Sequence, residues 1–297
     1  LENSHKPSLI MPQCYNGISS CGCVRNSITA SRASLATQHT AGVLVVSLSN
    51  DGLMKRNMHL DDLLSKWAFD PSTLNVRLVK GNDGRDVIQM RVDMGVLQLE
   101  TTGRPDGELA HDHQSMLEFL QEESLKDADR DLTEDECMEV DREFMQFYHR
   151  RICWLRLQYY HRAVMDADHT LQLMDVSEKM SPEEEWVGTH EQYRPFVLFH
   201  RTQADALGAL EENTAEEAIQ AINSGLETIQ KFFEKHEAEE HYESDELVVR
   251  LIELRESLRT EYAVGQTLME KLADAVAGEQ YELAAELRDE LTRREAK

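Results

Sequence analysis

Residues 195–233 read "PFVLFHRTQADALGALEENTAEEAIQAINSGLETIQKFF", and this stretch decides the fold. It runs as helix, turn, helix, with small residues where the two helices would touch. "TAEE" marks the start of the second helix: Thr214 can accept a backbone N–H from Glu217, and the Glu217 carboxylate can return the bond. Residues 150–176, "RRICWLRLQYYHRAVMDADHTLQLMDV", repeat the design. Two further capping boxes are expected, "TEDE" (Thr133 to Glu136) and "SPEE" (Ser181 to Glu184, with Pro182 at the first helical position). Glycine and proline are rare beyond about residue 110, so the chain from there is expected to be helical throughout.

The 195–233 stretch resembles a tetratricopeptide-type unit. Leu207-Gly208 lies in its first helix, and Ala218, Ile222 and Gly225-Leu226 follow at the family's spacing in its second. In 150–176 Ala163 and Leu171 fit, while Thr170 stands at an expected small position. The turn is shorter than the family's, the usual tyrosines are missing and no proline closes the repeat. The resemblance implies stacked helical hairpins over 148–235, with ordinary α-hairpins as the alternative.

Upstream the period changes. "HLDDLLSKWAF" (59–69) sets Leu60, Leu63, Leu64 and Trp67 on one helical face, and Pro71 is expected to end that helix. Val76 and Leu78 then alternate with Arg77 and Val79 in a strand. "GNDGR" (81–85) supplies a tight turn, and Ile88, Met90 and Val92 share one face of a second strand. A third strand follows Gly95, and "GRPDG" (103–107) carries turn chemistry, with a ligand loop as the other reading. A helix plus a three-stranded meander is expected over 58–107.

Residues 1–53 are different in kind. They hold two acidic and three basic residues, nine serines and three of the five cysteines. A disordered tail, an acid-poor targeting peptide and translation upstream of a start at Met54 or Met58 all fit, and the last is the expectation adopted. Cys14, Cys21 and Cys23 lack a second Cys/His pair at finger spacing, so no zinc is assigned.

Charge excludes more than it identifies. With 56 Asp+Glu against 31 Lys+Arg the chain carries a formal net charge of -25. Nucleic-acid affinity is built on Lys/Arg clusters that release counterions, so direct DNA or RNA binding is disfavoured. No run of eighteen apolar residues exists to span a membrane. Scattered, odd cysteine usage points to a reducing compartment, hence a cytoplasmic protein.

Toward the C-terminus, Leu247, Leu251, Leu254 and Leu258 form the seam of a connecting helix, and Gly265 either interrupts it or permits close approach. Two short helices follow. In the first, Leu268, Leu272, Ala275 and Val276 share one arc, and Gly278 suits its C-terminus. In the second, Tyr281, Ala284, Ala285, Leu287 and Leu291 fill one arc, with Glu282, Glu286, Asp289 and Glu290 opposite. Folded antiparallel, they make a hairpin with an apolar strip. Arg288 falls inside that strip over Ala284 and Ala285, its stem along the helix and its guanidinium at the rim. It either pairs with a carboxylate on its own surface or reaches a partner's.

"LMEKLADAVAGEQYELAAELRDEL" (268–291) resembles the UVR motif, the helical hairpin shared by the UvrB and UvrC subunits of the excision nuclease. The motif's aromatic-Glu pair, Ala-Ala and Leu-Arg-Asp stand here as Tyr281-Glu282, Ala284-Ala285 and Leu287-Arg288-Asp289. The likeness covers about residues 262–297. In that family the hairpin is a protein–protein contact module, found also in Clp-type ATPase subunits, their adaptors and plastid signalling proteins. The resemblance implies that Leu268, Leu272, Val276, Tyr281, Ala284, Ala285, Leu287, Arg288 and Leu291 meet another protein or a second copy of the chain. It does not carry helicase chemistry, since no GxxxxGK[ST] phosphate loop occurs.

Other motifs point nowhere sharper. "HDH" (111–113) has metal-site spacing but no third ligand, and reads as a solvated loop. "HEAEEH" (236–241) has one residue too many for a zinc-protease helix, where i and i+5 diverge by about 140°. Cys153, between Ile152 and Trp154, is expected to be buried. No catalytic, cofactor-binding or metal-binding residue is assigned.

The sequence therefore predicts an α+β, predominantly α chain. Its expected parts are a helix-plus-β module (54–110), tetratricopeptide-like hairpins (111–235), a connecting helix (236–265) and a UVR-like hairpin (266–297). A non-enzymatic adaptor is the leading expectation. The alternatives are an accessory factor recruiting UvrB- or UvrC-type subunits to nucleotide excision repair, and an enzyme with its site in the β module.

Overall fold

Residues 59–181, 183–212 and 214–295 are described by a computed structural model of the chain. The expectations for residues 1–53, for Met54 and Met58 and for Pro182 lie outside the described residues. The chain divides into two compact units.

Of the first unit, 59–75 and 91–95 are described. Helix α1 (Asp61–Lys66) closes four residues before Pro71 would have to end it. The Trp67 N–H closes the helix end on the Leu64 carbonyl, and downstream Asp70 accepts the Ser72 N–H (2.9 Å) and the Ser72 hydroxyl (2.6 Å) in a local turn. Leu63, Leu64 and Trp67 are only half-buried, and Leu60 is exposed. The buried Arg91 guanidinium holds this unit together, donating to the carbonyls of Trp67 (3.0 Å), Asp93 (3.0 Å) and Gly95 (2.9 Å).

The second unit holds 76–90 and everything from 96 onward. Strands β1 (Val76–Lys80), β2 (Asp86–Val92) and β3 (Gly95–Glu100) form an antiparallel sheet in the order β1-β2-β3. Val76 stands opposite Met90 and Leu78 opposite Ile88. Ile88 and Met90 are buried as alternation predicts, but so is Val87, so β2 is covered on both faces. Gly84 closes the first hairpin with φ +85°, a conformation that favours glycine.

Helices then follow without further strands among the described residues. They are α2 (Met116–Lys126), α3 (Glu134–Leu157), α4 (Tyr160–Met180), α5 (Glu184–Glu191), α6 (Arg194–Glu212), α7 (Ala215–Lys235), α8 (Glu239–Tyr242), α9 (Glu246–Tyr262), α10 (Leu268–Ala277) and α11 (Tyr281–Glu295). The packing order is α3 on α4, α4 on α6, α6 on α7 and α7 on α9. Both expected helix–turn–helix units are present, as α3/α4 and α6/α7. No helix among the described residues is long and apolar enough to cross a membrane.

Small residues do bring these helices together. Ala163, Ala167, Ala204, Ala206 and Ala218 are fully buried. Gly225 of α7 lies so close to Thr202 of α6 that a Cβ there would overlap the threonine side chain. The main core joins Phe199, Ile219, Ile222 and Ile229 to Val248, Leu251 and Leu258 of α9. Leu247 and Leu254 pack at its margin, so the expected seam is centred one residue off, with Val248 inside it.

The capping boxes fared unequally. Thr133 and Glu136 exchange both bonds. Thr214 accepts from Glu217 at 3.2 Å. The Ser181 box does not form: α5 begins at Glu184, and the Ser181 hydroxyl instead accepts the Glu183 N–H at 3.2 Å. Gly265 does neither thing expected of it. Helix α9 has already ended at Tyr262 with Ala263 in the left-handed region, and a Cβ added at Gly265 would meet no atom within 4 Å.

Candidate functional site

Helices α10 and α11 pack against each other as a hairpin whose base is tied down and whose one side is open. Thr267 caps α10 in a reciprocal box with Glu270. Glu270 is also the hub of the base. One carboxylate oxygen accepts from Asn223 Nδ2 of α7 (2.8 Å) and from the Arg259 guanidinium of α9, and the other accepts the Thr267 N–H (2.7 Å). Arg259 continues to the Gly265 carbonyl (2.5 Å), and Arg255 holds Asn223 Oδ1 (3.0 Å). The Leu268 N–H, an orphan donor at the helix start, reaches Glu216 Oε1 of α7 at 3.3 Å. Burial pushes the Glu270 pKa up, but the bonds from Thr267, Asn223 and Arg259 together hold it below the ordinary carboxylate value.

The tip is made by backbone. The Gly278 N–H bonds to the Asp274 carbonyl (2.8 Å), and the Gln280 N–H to that of Ala275 (2.8 Å). Gly278 is the expected cap, but its φ is -84° and the left-handed position falls to Glu279 at +56°. Glycine serves here because a Cβ would press on the Asp274 carbonyl.

The structure sorts the predicted strip into two sets. Ala275 and Ala284 are buried between the helices, and Leu268, Leu272, Leu287 and Leu291 are half-buried. Val276 is 54% exposed and Tyr281 70%, and Ala285 and Arg288 are exposed as well. With Ala275 and Ala284 marking the inward direction, a turn of 100° per residue carries Met269, Ala273 and Val276 to one side of α10. The same construction carries Tyr281, Ala285 and Arg288 to that side of α11. Six residues thus share one open face. Met269 and Leu283, both exposed, lay outside the sequence arcs. The Thr267 box was not among those expected, although its Thr-x-x-Glu spacing stands in the sequence. The docking of Glu270 onto Asn223 and Arg259 was not, because it joins three helices.

Elsewhere, several buried charged groups satisfy one another. Glu143 is fully buried, accepting the N–H groups of Met116 (2.7 Å) and Leu117 (3.2 Å) at the start of α2 and pairing with His169 Nε2 (2.8 Å). Arg150 grips both oxygens of Asp166 (2.9 and 2.7 Å) and donates to the carbonyls of Glu100 (3.2 Å) and Gly103 (2.7 Å). This pins the "GRPDG" turn to α3 and α4. A groove of about 460 Å³ runs beside that turn. Its guanidiniums are occupied, Arg104 by Glu139 (2.6 Å) and Arg85 by Glu100 (3.0 Å).

The "HDH" segment is a tight turn in which His111 and Asp112 are exposed, consistent with the solvated loop expected. His111 and Asp112 both have positive φ, His111 stacks on Phe119 at 4.2 Å, and His113 bonds Glu122 at 2.9 Å. "HEAEEH" is not one helix: His236 caps α7, Glu237 turns left-handed and His241 sits in α8. Cys153 is fully buried, which pushes its thiol up to about 12. Among the described residues no group of three or more His, Cys, Asp or Glu is placed to hold a metal ion.

The chain matches no family model, no curated protein and no solved structure. The functional reading therefore rests on the hairpin's own residues.

Proposed function

We propose that this chain is a non-enzymatic interaction protein that docks to another protein through the open face of the α10/α11 hairpin. The supporting observation is the combination of a fixed base and an exposed apolar side. A helix pair of ten and fifteen residues is marginal by itself in water, yet this one is fastened through Glu270 to α7 and α9. Fastening holds Val276 and Tyr281 out without the ordering cost a loose peptide would bear on binding. The stacked α3/α4 and α6/α7 hairpins serve in this reading as a tetratricopeptide-like scaffold behind it.

The likeness of Tyr281-Glu282, Ala284-Ala285 and Leu287-Arg288-Asp289 to the UVR motif supports the same use. It also supports a narrower version, in which the captured protein is a UvrB- or UvrC-type subunit. Affinity capture with the full chain and with a Val276→Ala, Tyr281→Ala double variant tests the proposal. Proteins retained by the first and lost from the second are expected, with helicity by circular dichroism unchanged. An identical set on both baits sinks the docking reading.

A further inference from the structure

Arg288 is an anomaly on the open face. Its side chain is 71% exposed, and its only carboxylate neighbour among the described residues is Asp289 at 3.6 Å, beyond hydrogen-bond reach. Several other guanidiniums of this acidic chain are held more closely by carboxylates: Arg150 by Asp166 at 2.7 Å, Arg194 by Glu191 at 2.6 Å, Arg142 by Asp106 at 3.1 Å. Glu282 and Asp289 lie at the outer rim of this face, and Glu286 and Glu290 fall toward the other side of the hairpin. Toward α10, Arg288 shares its face with Met269, Ala273, Val276, Tyr281 and Ala285, all uncharged, and Glu282 and Asp289 stand at the outer rim. A planar five-donor fork is thus set between an apolar strip and a rim of two carboxylates on a chain of net charge -25.

We infer that the partner presents an Asp or Glu carboxylate, framed by apolar side chains, to Arg288, and that this ion pair selects the partner. The inference rests on the docking reading and adds the partner's chemistry to it. Covering the face would strip water from the guanidinium, and a desolvated charge without a counter-charge opposes binding. Charge complementarity therefore requires an anion at that point. A nucleic acid does not fit, because Glu282 and Asp289 at the rim would repel its neighbouring phosphates. A second copy fits poorly, because two chains of this net charge repel each other.

A zero-length cross-link tests this. The full chain carrying Arg288→Lys keeps a cation and gains an amine that a carbodiimide couples only to a carboxylate in ion-pair contact. Treated in a native extract and digested, it is expected to yield an isopeptide between position 288 and an Asp or Glu of another protein. Arg288→Glu should then weaken binding of that purified protein at least tenfold. Reversing the cross-linked carboxylate to Lys should restore it. An isopeptide to a second copy of this chain overturns the inference, as does binding of the Arg288→Glu variant within twofold of the parent. If Val276→Ala, Tyr281→Ala still abolishes capture in that case, docking stands and only the partner's chemistry is wrong. If it does not, docking itself has failed.

Discussion

Arg259 of α9 and Glu270 of α10 close an ion pair across the base of the C-terminal hairpin, on the carboxylate that also caps α10. One acidic side chain thus starts a helix and ties it to the helical body. Both partners are mostly shielded, so the pair is not a solvent-screened surface contact.

Replacing Glu270 by Ala removes the cap and the pair together. A loss of about 2 kcal/mol is expected for the hairpin, from charged hydrogen bonds and the cap. Hydrogen exchange should show it locally: amides of 268–277 lose protection while those of α6 and α7 keep theirs.

Gly225→Ala should destabilise the α6/α7 pair by about 1–3 kcal/mol, because the new methyl meets Thr202. Thr202→Ala should recover part of that loss. A double-mutant cycle by urea denaturation reads the coupling, and strict additivity would argue against the close approach.

Glu143→Ala should cost about 3–5 kcal/mol, since it strips the start of α2 of its acceptor and leaves His169 without its buried partner. Urea denaturation at neutral pH measures it.

Histidine sets the pH response. Burial, and next the Arg151 charge, hold His200 well below its ordinary 6.5, and burial lowers His149 too. Such rings stay neutral in the folded chain while the unfolded chain takes up protons below about 6.5. Their contribution is complete above that pH and is lost as pH falls toward the folded values. His113 runs the other way: the Glu122 hydrogen bond raises it, so its contribution is complete below about 6.5 and lost as pH rises through the folded value. His200 is the buried one, so unfolding free energy should fall between pH 7 and about 5.5. His200→Gln, which can still accept from Arg151, should flatten the fall.

What could be read in advance followed local rules. Period placed the sheet, both helical hairpins and the C-terminal pair, and the Thr133 box marked its helix. The failures were places where a local signal lost to a neighbour. Helix α1 closed at Lys66 ahead of Pro71, Ser181 spent its hydroxyl on Glu183, and the helix wheel could not tell that Ala275 and Ala284 would face each other while Val276 and Tyr281 stayed outside. Arg288 was located on the apolar strip, but that its one carboxylate neighbour among the described residues is Asp289 at 3.6 Å needed the third dimension.

The central claim is that the open face of the α10/α11 hairpin is where this chain binds another protein. Hydrogen exchange of the full chain, alone and saturated with a purified captured protein, tests it most directly. The account predicts new protection concentrated in 269–288, with α3, α4 and the sheet unchanged. Protection elsewhere, with 269–288 exchanging as in the free chain, would contradict it.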